Sequence, residues 1–328
     1  MGYDFLYHVF IMPEMHAGLP SNFNELTDSC DRADKNARKE RLLRRMRRWF
    51  VSMLVISGVG VTAALLNNTL SFLPDSRATF RTQFERAVQG GTNWLIAHPE
   101  GTNSALLYMI ANMADISGDH RVRHIVDQYR GNPFRHSQSF WERLVDRTAA
   151  VRSPSRQELD SYSGYQRWIG YAIAPDHVPL SEKERTDMFA PNRFMWGSRT
   201  HQLFALLLYR ERGSNSQALN DLINHLCERI AFEANWDVRV TDLYLQRIAF
   251  ILAAGRPDLI KPRWVERIIA SQKKDGGWIA SWYGWGPGPY EYSFRQRATN
   301  SHTTVQGVWA LYLLKYRFPN WIEQNYHE

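Results

Sequence analysis

Apolar residues recur at intervals of three or four along most of the chain, and no stretch shows the strict alternation that a half-buried strand requires. One such run is Phe80, Phe84, Val88 and Leu95, which follows Ser76, a residue type that caps helix N-termini. Similar runs continue to the end of the chain, separated by Gly and Pro residues. The pattern predicts an all-α protein with about ten helices of roughly 11–15 residues.

The start and stop signals of these helices indicate how they are arranged. Gly118 and Gly255 stand where two helices should end. Ser or Thr comes just before the apolar helical runs in residues 101–113, 197–209 and 299–314. This similarity suggests repeated helical hairpins, and the irregular spacing between them favours a closed ring over an open solenoid.

The most apolar part of the chain lies before these helices. Residues 35–48 carry eight Lys or Arg and one acid, and residues 49–66 then run for eighteen positions without a charge. Such a run just reaches the length that spans a bilayer, and a basic flank stays in the cytoplasm. We predict a cytoplasmic, partly disordered tail over 1–48, a transmembrane signal anchor over 49–66 and a separate domain over 75–328.

This prediction places a single-pass protein in the inner (cytoplasmic) membrane, with its C-terminal domain in the periplasm. Two alternatives for residues 49–66 are a soluble core helix and a signal peptide starting at Met46, although no small-residue cleavage signal precedes Asn67. The basic block could instead contact nucleic acid, but its position directly before the span argues against such a partner.

Composition narrows the classes of function. Two cysteines exclude a disulfide scaffold and a Cys-rich zinc module, and 13% aromatic residues exclude a disordered chain. The HExxH, GxSxG, P-loop and GxGxxG motifs are all missing from the sequence. Any chemistry must therefore come from residues that the fold brings together.

One short motif carries a resemblance to a known family. Gln272-x-x-Asp275-Gly276-Gly277-Trp278 resembles the turn of the α/α-toroid superfamily, which includes squalene–hopene cyclases and protein prenyltransferase β-subunits. The glycines permit a tight turn with positive φ, and the tryptophan is expected to fold back onto the helix pair. The resemblance implies an α/α toroid of antiparallel helical hairpins, preceded by the transmembrane helix.

The chain departs from the chemistry of that superfamily. It has neither the DxDD acid of class II cyclases nor the DDxxD magnesium site of class I synthases. Prenyltransferase β-subunits bind zinc through an Asp-x-Cys pair and a later His; here Asp242, Tyr244 and His302 stand in similar places, with tyrosine where the thiolate should be. We therefore predict no metal and no cofactor.

The candidate site lies around an aromatic loop at residues 278–295, where the Gly-Pro pairs prevent a helix. If helix N-termini gather at one end of a ring, they bring helix-starting residues to this loop, and helix N-termini favour anions. The candidate catalytic residues are Asp242, His302, Tyr244 and His201. The candidate ligand-binding residues are Trp278, Trp282, Trp285, Tyr290, Tyr292, Arg295 and Arg199.

Three functions remain open at this stage, so the sequence does not decide whether the protein is an enzyme. The first is a membrane-anchored domain that binds an apolar or glycan ligand in an aromatic-lined central cavity, with modification of that ligand left open. The second is a lyase or hydrolase acting on a cell-envelope polysaccharide. The third is a non-catalytic docking subunit with an envelope protein as its partner.

Overall fold

The computed structural model describes residues 22–70, 76–99, 103–130, 139–162, 164–191, 198–213, 215–237, 239–279, 284–285, 292–293 and 298–326. The chain divides into two compact units, Met1–Thr62 and Ala63–Glu328.

The first unit contains most of a long helix, α1 (Asn22–Thr69). This helix begins within the segment expected to be a partly disordered tail. Arg, Lys, Leu and Glu are strong helix formers, so the helix continues from that segment into the apolar run. Its Arg38–Thr69 part is long and apolar enough to cross a membrane, and none of its most apolar window is buried.

In its described residues, the second unit is mainly helical and has one two-stranded ladder. Its helices are α2 (Arg77–Ala97), α3 (Ser104–Ser117), α4 (His120–Arg130), α5 (Glu142–Val145), α6 (Arg156–Ser161), α7 (Gly164–Ile173), α8 (Glu182–Met188), α9 (Ser198–Glu211), α10 (Gln217–Trp236), α11 (Asp242–Ala254), α12 (Pro262–Ser271), α13 (Ser301–Tyr312) and α14 (Trp321–Asn325). A 3₁₀ turn spans Pro257–Leu259, and a π-helical turn, Leu313–Arg317, continues α13. The strands β1 (Gly284–Trp285) and β2 (Tyr292–Ser293) pair antiparallel.

Four inner helices, α3, α9, α11 and α13, form the core of this unit. Helix α11 is buried from Tyr244 to Leu252 and α13 from Thr303 to Tyr312, as expected of helices surrounded by others. Helix α13 packs against both α3 and α11, and α11 packs against α9.

An aromatic quartet of Tyr108, Phe204, Phe250 and Trp309, one ring from each inner helix, fills the middle of this core. Neighbouring ring centroids lie 5.3 Å apart for Tyr108 and Phe204, 5.1 Å for Phe204 and Phe250, 5.8 Å for Phe250 and Trp309, and 6.3 Å for Trp309 and Tyr108. The four contacts form a closed cycle, so the quartet fills the space between the inner helices about halfway along their length.

The inner helices α9, α11 and α13 run parallel to one another. Asp242 and His302, at the starts of α11 and α13, are hydrogen-bonded, and Phe250 and Trp309 meet further along the same two helices. Thr200 near the start of α9 likewise bonds to the first half of α11. The starts of these three helices therefore share one end of the domain, which we call the mouth end.

Outer helices run in the opposite direction. Trp94, near the end of α2, bonds to Thr299 just before α13, whereas Glu85, earlier in α2, pairs with Lys315 beyond the end of α13. Helix α10 is antiparallel to α11 in the same way, because its end lies beside the beginning of α11.

The turn after α12 makes hydrogen bonds to three helices, α2, α12 and α13. Gln272 ends α12, and its amide nitrogen donates to the Ala87 carbonyl of α2 (2.9 Å) and to the Gly276 carbonyl (2.8 Å). Gly276 has a φ of +93°, and a Cβ atom there would collide with the Gly90 carbonyl. Trp278 is 1% exposed and its ring nitrogen donates to Ile268. The structure thus has the expected tight turn with a positive φ at a glycine and a buried Trp278.

Candidate functional site

Polar side chains that are nevertheless buried concentrate towards the mouth end. Those on the inner helices are Thr200, Gln202, Gln246, Arg247, Thr303, Thr304 and Gln306. Buried polar groups need hydrogen-bond partners, and these groups mostly bond to one another or to nearby backbone. For example, Thr200 Oγ1 donates to Gln246 Oε1 at 2.7 Å.

The centre of the mouth end is the pair formed by Asp242 and His302, the first residue of α11 and the second of α13. Because a carboxylate only accepts hydrogen bonds, Nδ1 of His302 donates to Oδ1 of Asp242, at 2.7 Å. The side chains are 46% and 34% exposed, so the pair is open to solvent. The structure thus brings together the two residues that the sequence placed in one site.

The pair is held from the buried side by Gln306. With its amide nitrogen turned towards Asp242, this side chain donates to both the carboxylate Oδ1 and the backbone carbonyl of Asp242, each at 3.0 Å. Gln306 is 1% exposed and lies one helical turn after His302. The carboxylate is therefore fixed by a donor other than the imidazole.

The hydrogen bond and negative charge of Asp242 raise the pKa of His302 above its ordinary value, although partial burial of the ring opposes this shift. With Nδ1 committed to Asp242, Nε2 is the ring nitrogen that exchanges a proton with solvent or with a ligand. When protonated, the ring presents a positive N–H group; when neutral, it presents a proton acceptor.

The described residues that flank the aromatic loop meet close to His302 in the chain. A backbone bridge joins Ile279 to Thr299, three residues before His302, and the ladder pairs Trp285 with Tyr292. The sequence had predicted no strand; the ladder forms because aromatic residues favour extended backbone. Trp282, Tyr290 and Arg295 lie outside the described residues, and for Trp285 and Tyr292 only the backbone is described.

The chain matches no family model, and no curated protein and no solved structure matches it.

The structure does not place Tyr244, a predicted site residue, beside the Asp242–His302 pair. Tyr244 is fully buried, and its hydroxyl donates to Asn68 Oδ1 at 3.2 Å. The guanidinium carbon of Arg267 lies 5.1 Å from the ring centroid. Burial raises the pKa of Tyr244, despite the opposing charge of Arg267, so the phenol stays neutral. The residue turns away from Asp242 because positions two apart on a helix do not share a face.

Arg199 and His201 are also engaged elsewhere. Arg199 forms an ion pair with Glu233 of α10, and Glu233 also accepts from Arg247 at 3.3 Å. His201 stacks on Tyr165, with ring centroids 4.0 Å apart. These two residues flank Thr200, and only Thr200 faces α11, because successive helical residues are rotated by about 100°.

Trp278 cannot serve as an exposed ligand contact in this structure. Its ring packs closely against Gly91 and Gly307, where an added Cβ would lie only 3.0 and 3.1 Å from the ring. Its backbone nitrogen donates to Thr304 Oγ1 at 3.0 Å. Trp278 therefore joins the turn to α13. This agrees with its predicted place in the turn and not with its predicted contact with a ligand.

Sequence reasoning missed Gln306. A signal was present, since a glutamine four residues after a helix-starting histidine lies on the same helix face. Within the described residues, no group of three or more His, Cys, Asp or Glu side chains could hold a metal ion.

Proposed function

We propose that residues 75–328 form an α/α toroid of antiparallel helical hairpins, anchored in the inner membrane by residues 49–66 and located in the periplasm. The parallel inner helices and antiparallel outer helices support the toroid. The exposed apolar window of α1 and the basic block before it support the anchor and its orientation.

We further propose that the mouth end binds a ligand that combines a carboxylate or phosphate with an apolar or sugar portion. The observation that carries this proposal is the solvent-exposed hydrogen bond between Asp242 and His302. A protonated imidazole at the starts of α11 and α13 favours an anion, because helix N-termini carry partial positive charge. The aromatic residues of segment 278–295, which precedes α13 in the chain, are of types that suit an apolar chain or a sugar.

The same pair is suited to acid–base chemistry on the bound ligand. Asp242 positions the imidazole and stabilises its protonated form, while Nε2 of His302 gives or takes the proton. Gln306 keeps the carboxylate in place during this cycle. The ligand would bind at the mouth rather than deep in the ring, because the aromatic quartet fills the middle.

The aromatic quartet also favours a second candidate, a non-catalytic docking subunit. A plugged centre is typical of a domain that presents its surface to a partner and turns over no substrate. This candidate predicts no loss of function when His302 is replaced.

Thermal melting of the full-length protein in detergent tests ligand binding at the pair. The two probes are a polyisoprenyl phosphate and a uronic-acid oligosaccharide, each combining an anion with one of the two proposed ligand portions. At one hundred times Kd, a ligand stabilises a protein by about 2.7 kcal/mol, which corresponds to an increase in Tm of roughly 5–10 °C. His302→Gln and Asp242→Asn should lose that increase.

The matched control is His124→Gln, which alters an exposed histidine on α4 and should keep the full increase. Mass spectrometry of the recovered probe shows whether it was also modified. If neither probe raises the Tm of the unaltered protein, or if His302→Gln responds equally, the mouth end is not the binding site.

Protease treatment of spheroplasts tests the orientation. The domain after the span should be digested in intact spheroplasts while a cytoplasmic marker survives. Protection of the domain together with the marker would place it in the cytoplasm.

A further inference from the structure

The last turn of α1 is fixed to the mouth end by Asn67 and by the buried side chain of Asn68. Its amide nitrogen donates to the carbonyl oxygens of Ala234 (2.7 Å) and Asn235 (2.8 Å), in the last turn of α10. Its amide oxygen accepts from the Tyr244 hydroxyl (3.2 Å) and from Arg267. The predicted span ends only two residues earlier, so the chain leaves the domain beside the end of α10 and the start of α11.

Exposed apolar side chains surround this attachment. Phe232 and Trp236 are 54% and 56% exposed, and their rings lie 6.1 Å apart on one face of α10. Leu66 and Leu70, on either side of Asn68 in the chain, are 43% and 47% exposed. Among the described residues of this unit, no large apolar side chain is more exposed than Phe232 and Trp236.

Two arginines lie near the aromatic pair. Arg229 lies with its guanidinium carbon 5.8 Å from the Phe232 ring centroid, and Arg263 of α12 donates to Asn67 at 2.9 and 2.6 Å. The acid between the two aromatic residues, Glu233, is mostly buried and forms ion pairs with Arg199 and Arg247. The surface around the attachment thus combines aromatic rings with arginines.

We infer that the mouth end lies on the bilayer surface, with Phe232 and Trp236 in its interfacial layer, and that the ligand of the Asp242–His302 pair is an amphiphile drawn from the membrane. Aromatic side chains are enriched at the membrane–water interface, and arginine next to them can reach anionic headgroups. This inference rests on the proposed membrane anchor and on the proposed binding site.

The position of the pair explains why a membrane ligand suits it. Tyr244, which bonds to Asn68, stands only two residues after Asp242, or about 3 Å along the axis of α11. The site and the membrane attachment are therefore at the same end of the domain. A headgroup with a carboxylate or phosphate could reach His302 while its chain stays near the bilayer.

Depth-dependent fluorescence quenching of the full-length protein tests the orientation. Trp236→Cys is labelled with an environment-sensitive maleimide in a Cys30→Ser background. Cys227 stays in place, because it is fully buried and burial raises the pKa of its thiol to about 12, which makes it unreactive. The labelled protein is reconstituted into vesicles of phosphatidylcholine and phosphatidylglycerol that carry nitroxide lipids.

Two further labelled positions serve as controls. Val55→Cys lies in the predicted span and should be quenched by nitroxide deep in the bilayer. Tyr316→Cys is at the opposite end of the domain, 38% exposed, and should not be quenched. The label at position 236 should be quenched by nitroxide near the headgroups, and adding Phe232→Ser should weaken that quenching.

The outcomes separate the inference from the proposals beneath it. If lipid nitroxide quenches the label at position 55, but quenches the label at 236 no more than the label at 316, the inference is wrong and the anchor stands. Absence of quenching at 55 refutes the anchor, and the inference with it. Protection of position 236 from an aqueous quencher without lipid quenching would mean that a protein covers this face, which also overturns the inference.

Ligand preference provides the second measurement. A polyisoprenyl phosphate incorporated in the vesicles should protect His302 from diethyl pyrocarbonate, whereas the soluble uronic-acid oligosaccharide should not. Protection by the oligosaccharide alone would leave the binding site valid and refute the membrane origin of its ligand.

Discussion

Two aspartates, Asp275 and Asp242, lie close to the start of α13 and have different roles. Asp275 accepts hydrogen bonds from the Gly277 backbone nitrogen (3.0 Å) and the Thr299 hydroxyl (2.6 Å). Its partners are neutral groups: the backbone of its own turn and the Thr299 side chain just before α13. Burial opposes ionisation of Asp275, but these hydrogen bonds outweigh it and lower its pKa.

Asp242 instead holds a titratable ring. Its partner His302 is nearly half exposed, and only one of the two ring nitrogens is committed. The recognisable motif, Gln272 to Trp278, builds the scaffold, whereas Asp242 and His302 match a known site pattern only in part, with Tyr244 where that pattern has a cysteine. A local turn needs a fixed set of neighbours and so leaves a continuous pattern in the sequence. A pair joined across sixty residues leaves only two separate positions.

The largest expected effect comes from Trp278→Ala in the turn. Emptying a fully buried aromatic site should lower the free energy of unfolding by about 3–5 kcal/mol. Trp236→Ala removes an exposed ring of the same type and should change it by less than about 0.5 kcal/mol. Urea unfolding of both variants in detergent provides the measurement. If Trp278→Ala lowers the free energy of unfolding as little as Trp236→Ala is expected to, the turn does not depend on its tryptophan.

Gly276→Ala should rank second. An alanine with positive φ costs about 1–2 kcal/mol, and here its Cβ would also meet the backbone of Gly90, which cannot move aside by changing rotamer. Gly118→Ala is the matched control, since its φ is +70° but nothing lies near the added atom. Thermal melting should give a larger loss at Gly276, and a loss no greater than at Gly118 would contradict the close contact.

The two aspartates themselves should differ in a third test. Asp275→Ala removes two bonds that hold the turn and should cost about 1–2 kcal/mol of unfolding free energy. Asp242→Ala breaks a solvent-exposed pair and should cost at most about 1 kcal/mol. The increase in Tm caused by the ligand should follow the opposite order: it should be lost in Asp242→Ala and kept in Asp275→Ala. A larger stability loss at Asp242 would identify the pair as a structural cap.

The smallest effect concerns pH. The pKa of His302 is raised in the folded protein, so the pair stabilises the fold fully below the ordinary value of about 6.5, and this contribution is lost as pH rises through the folded pKa. NMR titration of the imidazole should show the raised pKa. Asp242→Asn should lower it, while Asp275→Asn should leave it unchanged. A His302 titration that Asp242→Asn does not alter would mean that the carboxylate is not its partner.

Much of the local structure followed from the sequence. Ser76 caps α2, whose buried face includes the four apolar residues expected there, and Gly118 and Gly255 end α3 and α11 in the left-handed conformation. Pro262 opens α12 as its fixed φ favours. These features depend on residues within one or two turns, so short-range pattern determined them.

Tertiary packing decided which polar groups meet. The sequence placed Asp242, Tyr244, His201 and Arg199 in one site, yet only Asp242 joined His302. The other three turned to Asn68, Tyr165 and Glu233. Each helical residue points about 100° from its neighbour, so the site depends on how far each inner helix is rotated. That rotation is fixed by the packing of whole helix faces around the aromatic quartet, which no local pattern records.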